Sequence, residues 1–196
     1  MRTRRAEYSE ATRQALVDSA VDLFTKRGYA GTSLDEVVKR ARVTKGALYH
    51  HFSGKQALFE AVFAQVETES IESLTAVITG EGDPWEIAVA GLRAYVRKCL
   101  DPEYQRIIVH EAPVVMGWER WREAEEQFSF GLLRASVQLL VDAGEIEDLP
   151  VEIMARLLFG ALSAGASTIA SSSDPKRTGR EVERAILRVL EGLRKK

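Results

Sequence analysis

Residues 33–56 read SLDEVVKRARVTKGALYHHFSGKQ, and this stretch decides the fold. Ser33 followed three positions later by Glu36 is a capping box, so a helix opens there and runs through Val37, Val38 and Ala41. Thr44 can cap a further short helix. Ser53-Gly-Lys-Gln56 reads as a second capping box, followed by Leu58, Phe59, Val62, Phe63 and Val66 at helical spacing. Upstream, Leu16, Val17, Ala20, Val21 and Phe24 mark one face of a helix that stops at Gly28, a suitable left-handed C-cap. Three short helices followed by a long one form a helix-turn-helix unit joined to a larger body.

On a helix turning about 100° per residue, Ala47, Leu48, His51 and Phe52 gather on one side. Lys45, Gly46, Tyr49 and His50 gather on the other. The outer face therefore carries a cation, a glycine that allows close approach, a phenol and an imidazole. His50 and His51 point about 100° apart, and no acid or cysteine stands at ligand spacing, which excludes a shared metal ion. An exposed helix offers no cleft for a nucleophile and its base. A merely solvated face more typically carries Glu, Lys and Gln. DNA accounts for the composition better. Lys45 and His50 can donate to base edges or phosphate, Tyr49 can hydrogen-bond a phosphate oxygen, and Gly46 removes bulk. Thr32 and Ser33 offer hydroxyls and free amides to a phosphate at a helix start, and Lys55 offers a full charge. Arg2, Arg4 and Arg5 form either an arm along the groove or a disordered tail.

Charge is divided in the same sense. Residues 1–56 hold 11 Lys/Arg against 6 Asp/Glu, a balance of +5, and residues 57–196 hold 16 against 23, a balance of −7. A basic head on an acidic body suits a polyanionic partner. Cys99 is the only cysteine, which excludes an internal disulfide framework and fits a reducing cytoplasm. No apolar run follows the basic MRTRRAEYSE start, as a secretory signal would require. The weakly polar run LLFGALSAGASTIA at 157–170 falls short of the roughly 20 residues that span a bilayer, so no membrane partner is expected.

The segment from Ala15 to Phe63, with FTKRGYAGTSLDEVVKRARVTKGALYHHFSGKQALF (24–59) at its centre, resembles the DNA-binding domain of the TetR/AcrR family of bacterial transcriptional regulators. The Gly28-Tyr29 turn, the Thr32-Ser33 start and the Lys45-Gly46-x-x-Tyr49-x-His51-Phe52-x-x-Lys55 pattern match in order and spacing. Gln56 stands where many members carry Glu, and still completes a capping box. The resemblance implies a homodimer with two helix-turn-helix heads, a double-stranded DNA operator as partner and an all-helical body. It places Lys45, Gly46, Ala47, Tyr49, His50 and His51 in or beside the recognition helix, and Thr32, Ser33, Thr44 and Lys55 near phosphates. Periodicity puts His51 on the inner side, so packing within the domain and an edge contact with phosphate both stand for that residue.

The expected fold is all-α with about nine helices, divided into a DNA-binding domain at 1–56 (helix-turn-helix about 33–52) and an effector-binding and dimerisation domain at 57–196. Beyond a break at Gly80–Pro84, Trp85, Val89, Leu92, Val96 and Cys99 form one apolar stripe. Asp101-Pro102 restarts the chain, and Pro113 and Gly117 interrupt it. A long helix covers about 118–142 and ends at Gly144, and two more cover about 150–171 and 178–193. Small residues Gly160, Ala161, Ala164, Gly165 and Ala166 permit close helix approach, and Val182, Ala185, Ile186, Val189 and Leu193 form a stripe. The resemblance implies that these last two helices pair with their copies, with Gly160, Ala164, Val182, Ile186, Val189 and Leu193 as interface candidates. Intramolecular packing is the alternative.

On the long helix Trp118, Trp121, Phe128 and Leu132 share one face, with Glu125 inside the stripe. A carboxylate there must pair, protonate or meet a ligand. Either it pairs with Arg93 or Arg97, or it marks an effector pocket shared with Tyr95, Cys99, Tyr104, His110, Met116 and Phe159. The sequence thus reads as a cytoplasmic, ligand-responsive repressor without enzymatic activity, released from a palindromic operator by a lipophilic effector, cationic rather than anionic. The rival readings are an enzyme with a site around Glu111, Glu125 or Cys99, unsupported by any phosphate loop, metal spacing or nucleophile motif, and a constitutive DNA- or partner-binding module. No cofactor is called for.

Overall fold

Helix ends in this chain fall where capping side chains stand. The computed structural model describes residues 4–195, with side chains from residue 6 onward, so the expected arm of Arg2, Arg4 and Arg5 lies outside the described side chains. Among the described residues there are nine helices: α1 (Arg4–Arg27), α2 (Leu34–Ala41), α3 (Lys45–His51), α4 (Lys55–Ile78), α5 (Pro84–Cys99), α6 (102–115), α7 (118–142), α8 (Val151–Ala170) and α9 (Pro175–Gly192). Ser33, Thr44, Asp83, Asp101 and Asp174 each accept a hydrogen bond from an amide of the helix that follows. Such a cap contributes about 1 kcal/mol. At Ser33 the capping box is complete, since Glu36 also receives the Ser33 amide.

Three sequence expectations are corrected. The second capping box does not form. Helix α4 begins at Lys55 with Gly54 as its cap, which leaves Ser53 outside and moves Gln56 one place too early to reach back. Helix α9 begins at Pro175 rather than 178, because Asp174 caps it and a proline in the first turn has no amide to leave unsatisfied. Pro113 does not interrupt α6. Residues 105–111 are π-helical, and this wide turn shifts the carbonyl register just ahead of the proline ring. A second π-helical turn covers 126–130 within α7.

Buried faces assemble the helices. In the head, Leu16, Val17, Ala20 and Phe24 of α1 meet Val37, Leu48 and Phe52 of the helix-turn-helix. The rings of Phe24, Tyr29 and Phe59 lie 5.4–5.7 Å apart, which brings the first turns of α4 into the head's core. Full burial of a ring of this size contributes roughly 1.5–3 kcal/mol. In the body the α5 stripe Trp85, Val89, Leu92, Val96 and Cys99 is buried as its spacing predicts. Helix α8 is 20 residues long and, by length and composition alone, apolar enough to cross a bilayer. The run at 157–170 is shorter because Arg156 bounds it, whereas the helix continues back to Val151. Its inner face carries Ala155, Leu158, Ala166 and Ile169, and its outer face leaves Ile153 and Leu157 exposed.

Gly28 ends α1 at φ 74°, and a Cβ there would collide with the Arg106 guanidinium of α6 and stand 2.6 Å from a Glu111 carboxylate oxygen. Gly144 has nearly the same backbone (φ 72°), but a Cβ there would meet nothing within 4 Å. Gly144→Ala should therefore cost only the left-handed backbone penalty of about 1–2 kcal/mol, and Gly28→Ala that penalty plus the loss of the Glu111–Tyr29 hydrogen bond as the Arg106 and Glu111 side-chain ends give way. Urea unfolding of the two variants gives the comparison, and equal losses would refute the close approach.

Candidate nucleic-acid interface and ligand cavity

The turn between α2 and α3 is set by Arg42, whose left-handed conformation (φ 56°) caps α2 while its amide bonds back to Lys39. Thr44 then starts α3. Leu48 and Phe52 anchor α3 in the core, Ala47 and His51 are half-buried, and Lys45, Gly46, Tyr49 and His50 are exposed. Tyr49 stands 53% exposed. A Cβ on Gly46 would meet only Thr44 Oγ1, at 3.9 Å, so packing does not require glycine there. Lys45 Nζ pairs with Asp35 Oδ1 at 2.8 Å, joining the starts of α3 and α2. That hydrogen bond raises the Lys45 pKa and keeps the group charged. Lys55 holds its ammonium 4.3 Å from the centre of the Tyr29 ring.

Thr32 is a correction. Its side chain is 2% exposed, and its hydroxyl is placed to donate to the carbonyls of Gly28 (3.0 Å) and Leu23 (3.3 Å), so it locks the turn after α1 and is unavailable to a phosphate. Ser33 is exposed, with its hydroxyl engaged in the capping box. Glu36, its partner, has its pKa lowered chiefly by the Ser33 amide.

The body touches the head at the same turn. Glu111 Oε1 accepts the Tyr29 amide (3.2 Å) and pairs with Arg106 Nε (3.1 Å), and Arg120 of α7 pairs with Glu60 of α4 (3.0 Å). None of these contacts was visible in the sequence, because no regular spacing marks the Arg106–Glu111 pair within α6, and the other two join residues far apart along the chain.

Helices α4 to α9 enclose a cavity of about 130 Å³. Its walls are mostly apolar, from Ile71, Leu74 and Ile78 of α4 to Leu158 and Leu162 of α8. Of the expected residues it brings together Tyr95, Tyr104, Glu125 and Phe159, with Leu132. Cys99, His110, Met116, Trp118, Trp121 and Phe128 do not line it. Cys99 is in the core, with its thiol pushed up to about 12 by burial. His110 points to solvent, and Met116 packs beside the core at the end of α6. Trp118 is 64% exposed and lies against Trp121, whose indole N–H is buried without a partner. Phe128 packs on Phe63. Trp118, Trp121 and Glu125 share the regular segment 118–125, and the cavity begins at Glu125, so the two tryptophans lie beyond its end, while Phe128 falls within the π turn at 126–130.

Glu125 has no ion pair among the described residues, and Arg93 pairs instead with Glu183 (3.1 Å). Burial first, and then the neighbouring Glu67, raise its pKa to about 8. Glu67 on α4 was missed, although it continues the Phe63 and Val66 face. It is 1% exposed, Ser129 donates to its Oε2 (3.3 Å), and its Oε1 is buried without a partner. Burial raises its pKa to about 7.

The interface candidates separate. Gly160, Ala164 and Val189 are exposed or half-buried on the outer side, together with the exposed Ile153 and Leu157. Ile186 turns inward, which corrects its assignment, and Val182 and Leu193 are half-buried with contacts inside the chain. Val182 fills the space over Gly165, where a Cβ would stand 2.7 Å from it, Ile186 lines the cavity, and Leu193 packs on the core.

The buried Glu67 and the half-buried Glu125 hold a proton where the unfolded chain, at its ordinary 4.5, has released it. Their stabilising contribution is complete below about pH 4.5 and is lost as pH rises through 7 and 8. Glu67→Gln should match the wild type near pH 4.5 and exceed its stability by about 3 kcal/mol above pH 8. Thermal unfolding followed by circular dichroism across this range tests it, and parallel pH profiles would refute it.

The head and body each match a described sequence family. Residues 16–62 match "Bacterial regulatory proteins, tetR family", and residues 85–193 match "Tetracyclin repressor-like, C-terminal domain". The crystal structure of a TetR-family transcriptional regulator from Pectobacterium atrosepticum is 33% identical, with TM-score 0.86 over 100% of this chain and 99% of that one. The Transposon Tn10 TetC protein of Escherichia coli is 29% identical over 154 residues, 79% of this chain and 78% of that protein. The HTH-type transcriptional regulator AcrR of Shigella flexneri is 29% identical over 155 residues, 76% of this chain and 72% of that protein. With both families matched in order along its length, the chain belongs to the TetR family of bacterial regulatory proteins, ligand-responsive DNA-binding transcriptional repressors.

Proposed function

We propose that this TetR-family regulator represses transcription as a homodimer on a palindromic operator and is released by a lipophilic effector held in the body cavity. The observation that carries the reading is the α3 face, where Lys45, Gly46, Tyr49 and His50 are exposed while Leu48 and Phe52 anchor the helix from behind. Residues 1–56 act as the DNA-binding domain and 57–196 as the effector and dimerisation domain, with the division at the start of α4. Lys45, Gly46, Ala47, Tyr49 and His50 enter the major groove. Ser33, Thr44 and Lys55 stand by phosphates, and His51 reaches a phosphate from its edge. The cytoplasm, where the DNA lies, is the site of action. Binding rather than catalysis is supported by the state of the candidate groups: Glu111 is engaged by Arg106 and the Tyr29 amide, and the Cys99 thiol is buried and protonated.

The outward face of α8, with Ile153, Leu157, Gly160 and Ala164, joins Val189 of α9 as the surface that meets a second copy. A cation-bearing effector is favoured because Glu125 opens onto apolar walls without a counter-charge. The cavity reaches the head by two routes. Helix α4 runs from Lys55 to the cavity wall at Ser70 and Ile71, and α6 carries Tyr104 to the cavity and Arg106 and Glu111 to the Gly28–Tyr29 turn. An effector that fits one arrangement of these helices better than the other changes the spacing of the two heads, since only differential affinity shifts such an equilibrium.

Leu157 is 65% exposed, so Leu157→Glu should leave the fold intact, give a monomer by sedimentation and abolish operator binding. A dimeric, DNA-binding variant would refute the interface. On DNA selected from a random pool, the wild-type dimer should protect two half-sites with centres about 34–36 Å apart or a multiple of that. Lys55→Ala should weaken all sequences alike and lower the salt slope by about 1. His50→Ala should relax preference at particular base pairs by roughly 1–3 kcal/mol. Equal loss of specificity in both variants would overturn these assignments.

A further inference from the structure

The hydroxyls that line the body cavity act as hydrogen-bond acceptors. Ser129 donates its proton to Glu67 Oε2 (3.3 Å), Tyr95 to the carbonyl of Leu162 (3.3 Å), and Ser136 to that of Leu132 (3.0 Å). With their protons engaged, these three hydroxyls offer lone pairs to anything inside. Glu125 lies one turn before Ser129 on the same wall, and Tyr95 and Tyr104 are near enough to feel its charge. Behind that wall stands Glu67, buried, with Oε1 unpartnered. The titratable groups facing Glu67 are Lys98 and Cys99 from α5, Tyr104 from α6 and Glu125 from α7. Of these only Lys98 is cationic, and it pairs with Asp101 (3.3 Å).

We propose that the cavity takes a compact primary amine in its ammonium form, which donates to Glu125, Ser129 and Tyr95 while Glu67 supplies a second negative charge behind Ser129. The inference rests on the ligand-responsive reading above and names the ligand's chemistry. Charge and donors are both required. A quaternary ammonium brings charge without an N–H, an alcohol brings one donor without charge, and a carboxylate adds a like charge to two acids. Size selects further. A cavity of about 130 Å³ is close to the roughly 150 Å³ that admits a benzene-sized molecule, so one ring or a short alkyl chain fills it. The walls from Ile71, Leu74 and Leu158 suit that apolar part.

The test uses the full chain and four probes that share a phenylethyl frame: 2-phenylethylamine, trimethyl(2-phenylethyl)ammonium, 2-phenylethanol and 3-phenylpropionate. Binding is read by titration calorimetry, and release of DNA chosen from a random pool by fluorescence anisotropy. The amine should bind at least about tenfold more tightly than the other three, the scale of a hydrogen bond to a charged group. Its affinity should rise from about pH 6 to about pH 8, because a cation favours the ionised carboxyls. Glu125→Gln and Glu67→Gln should each weaken the amine about tenfold or more and leave the alcohol unchanged. If either variant fails to fold, Ser129→Ala removes an acceptor while keeping both acids, and should show the same selective loss. The proposal is overturned if the trimethyl compound equals the amine, if folded variants bind the amine as the wild type does, or if the wild type does not bind the amine. If the alcohol or the acid releases DNA and the amine does not, this inference falls and the regulator reading stands. If the ligand-free protein binds no selected DNA, the regulator reading falls, whatever the amine does.

Discussion

The turn at Gly28 and Tyr29 is the constraint on which the rest of the molecule depends. A positive φ at Gly28 ends α1, and the absence of a side chain admits the Arg106–Glu111 pair of α6 against the backbone. The next residue uses both of its ends. The Tyr29 amide donates to Glu111, while its ring packs on Phe24 and Phe59 and carries the Lys55 ammonium on its face. Thr32 then ties the turn to the carbonyls of Leu23 and Gly28, which sets where Ser33 begins α2. Head, body and one proposed phosphate contact are thus fixed through five consecutive residues.

The cavity expresses a different constraint. Two carboxyls lie where burial disfavours their charged forms, and neither has a full set of partners in the chain. An arrangement that costs stability persists where something else compensates it, and a ligand that meets perturbed acids in a cleft is one such compensation. The apolar walls alone would hold a neutral molecule. The acids add a preference for charge and for donors.

Two wide turns shape both regions. The first covers 105–111 and includes Arg106 and Glu111, which meet the head. The second covers 126–130, directly after Glu125, and includes Ser129. π-helical turns recur at functional positions because they re-aim side chains that regular spacing would bury or expose. Here the second one leaves Phe128 off the cavity and Ser129 on it, directly after Glu125.

The sequence by itself determined what depends on neighbours along the chain. Ser33 and Glu36, Thr44, and the proline and glycine breaks marked the helices, and the period of 44–52 was enough to sort Leu48 and Phe52 from Tyr49 and His50. Matches to the TetR family followed from the same local pattern. The candidate DNA face was legible because it lies on one short, regular helix. The cavity was legible only in part. Tyr95, Tyr104, Glu125 and Phe159 were found, but Glu67 and Ser129 were not, and six other residues were misplaced. Helical periodicity tells which face residues share, and not how far along a helix a cavity extends, so Trp118 and Trp121 share a face with Glu125 yet lie beyond the cavity's end. Small residues on α8 read alike in sequence, yet Gly165 packs against Val182 while Gly160 faces out. Tertiary structure alone decided those faces, because which side of a helix is buried depends on which other helix arrives there.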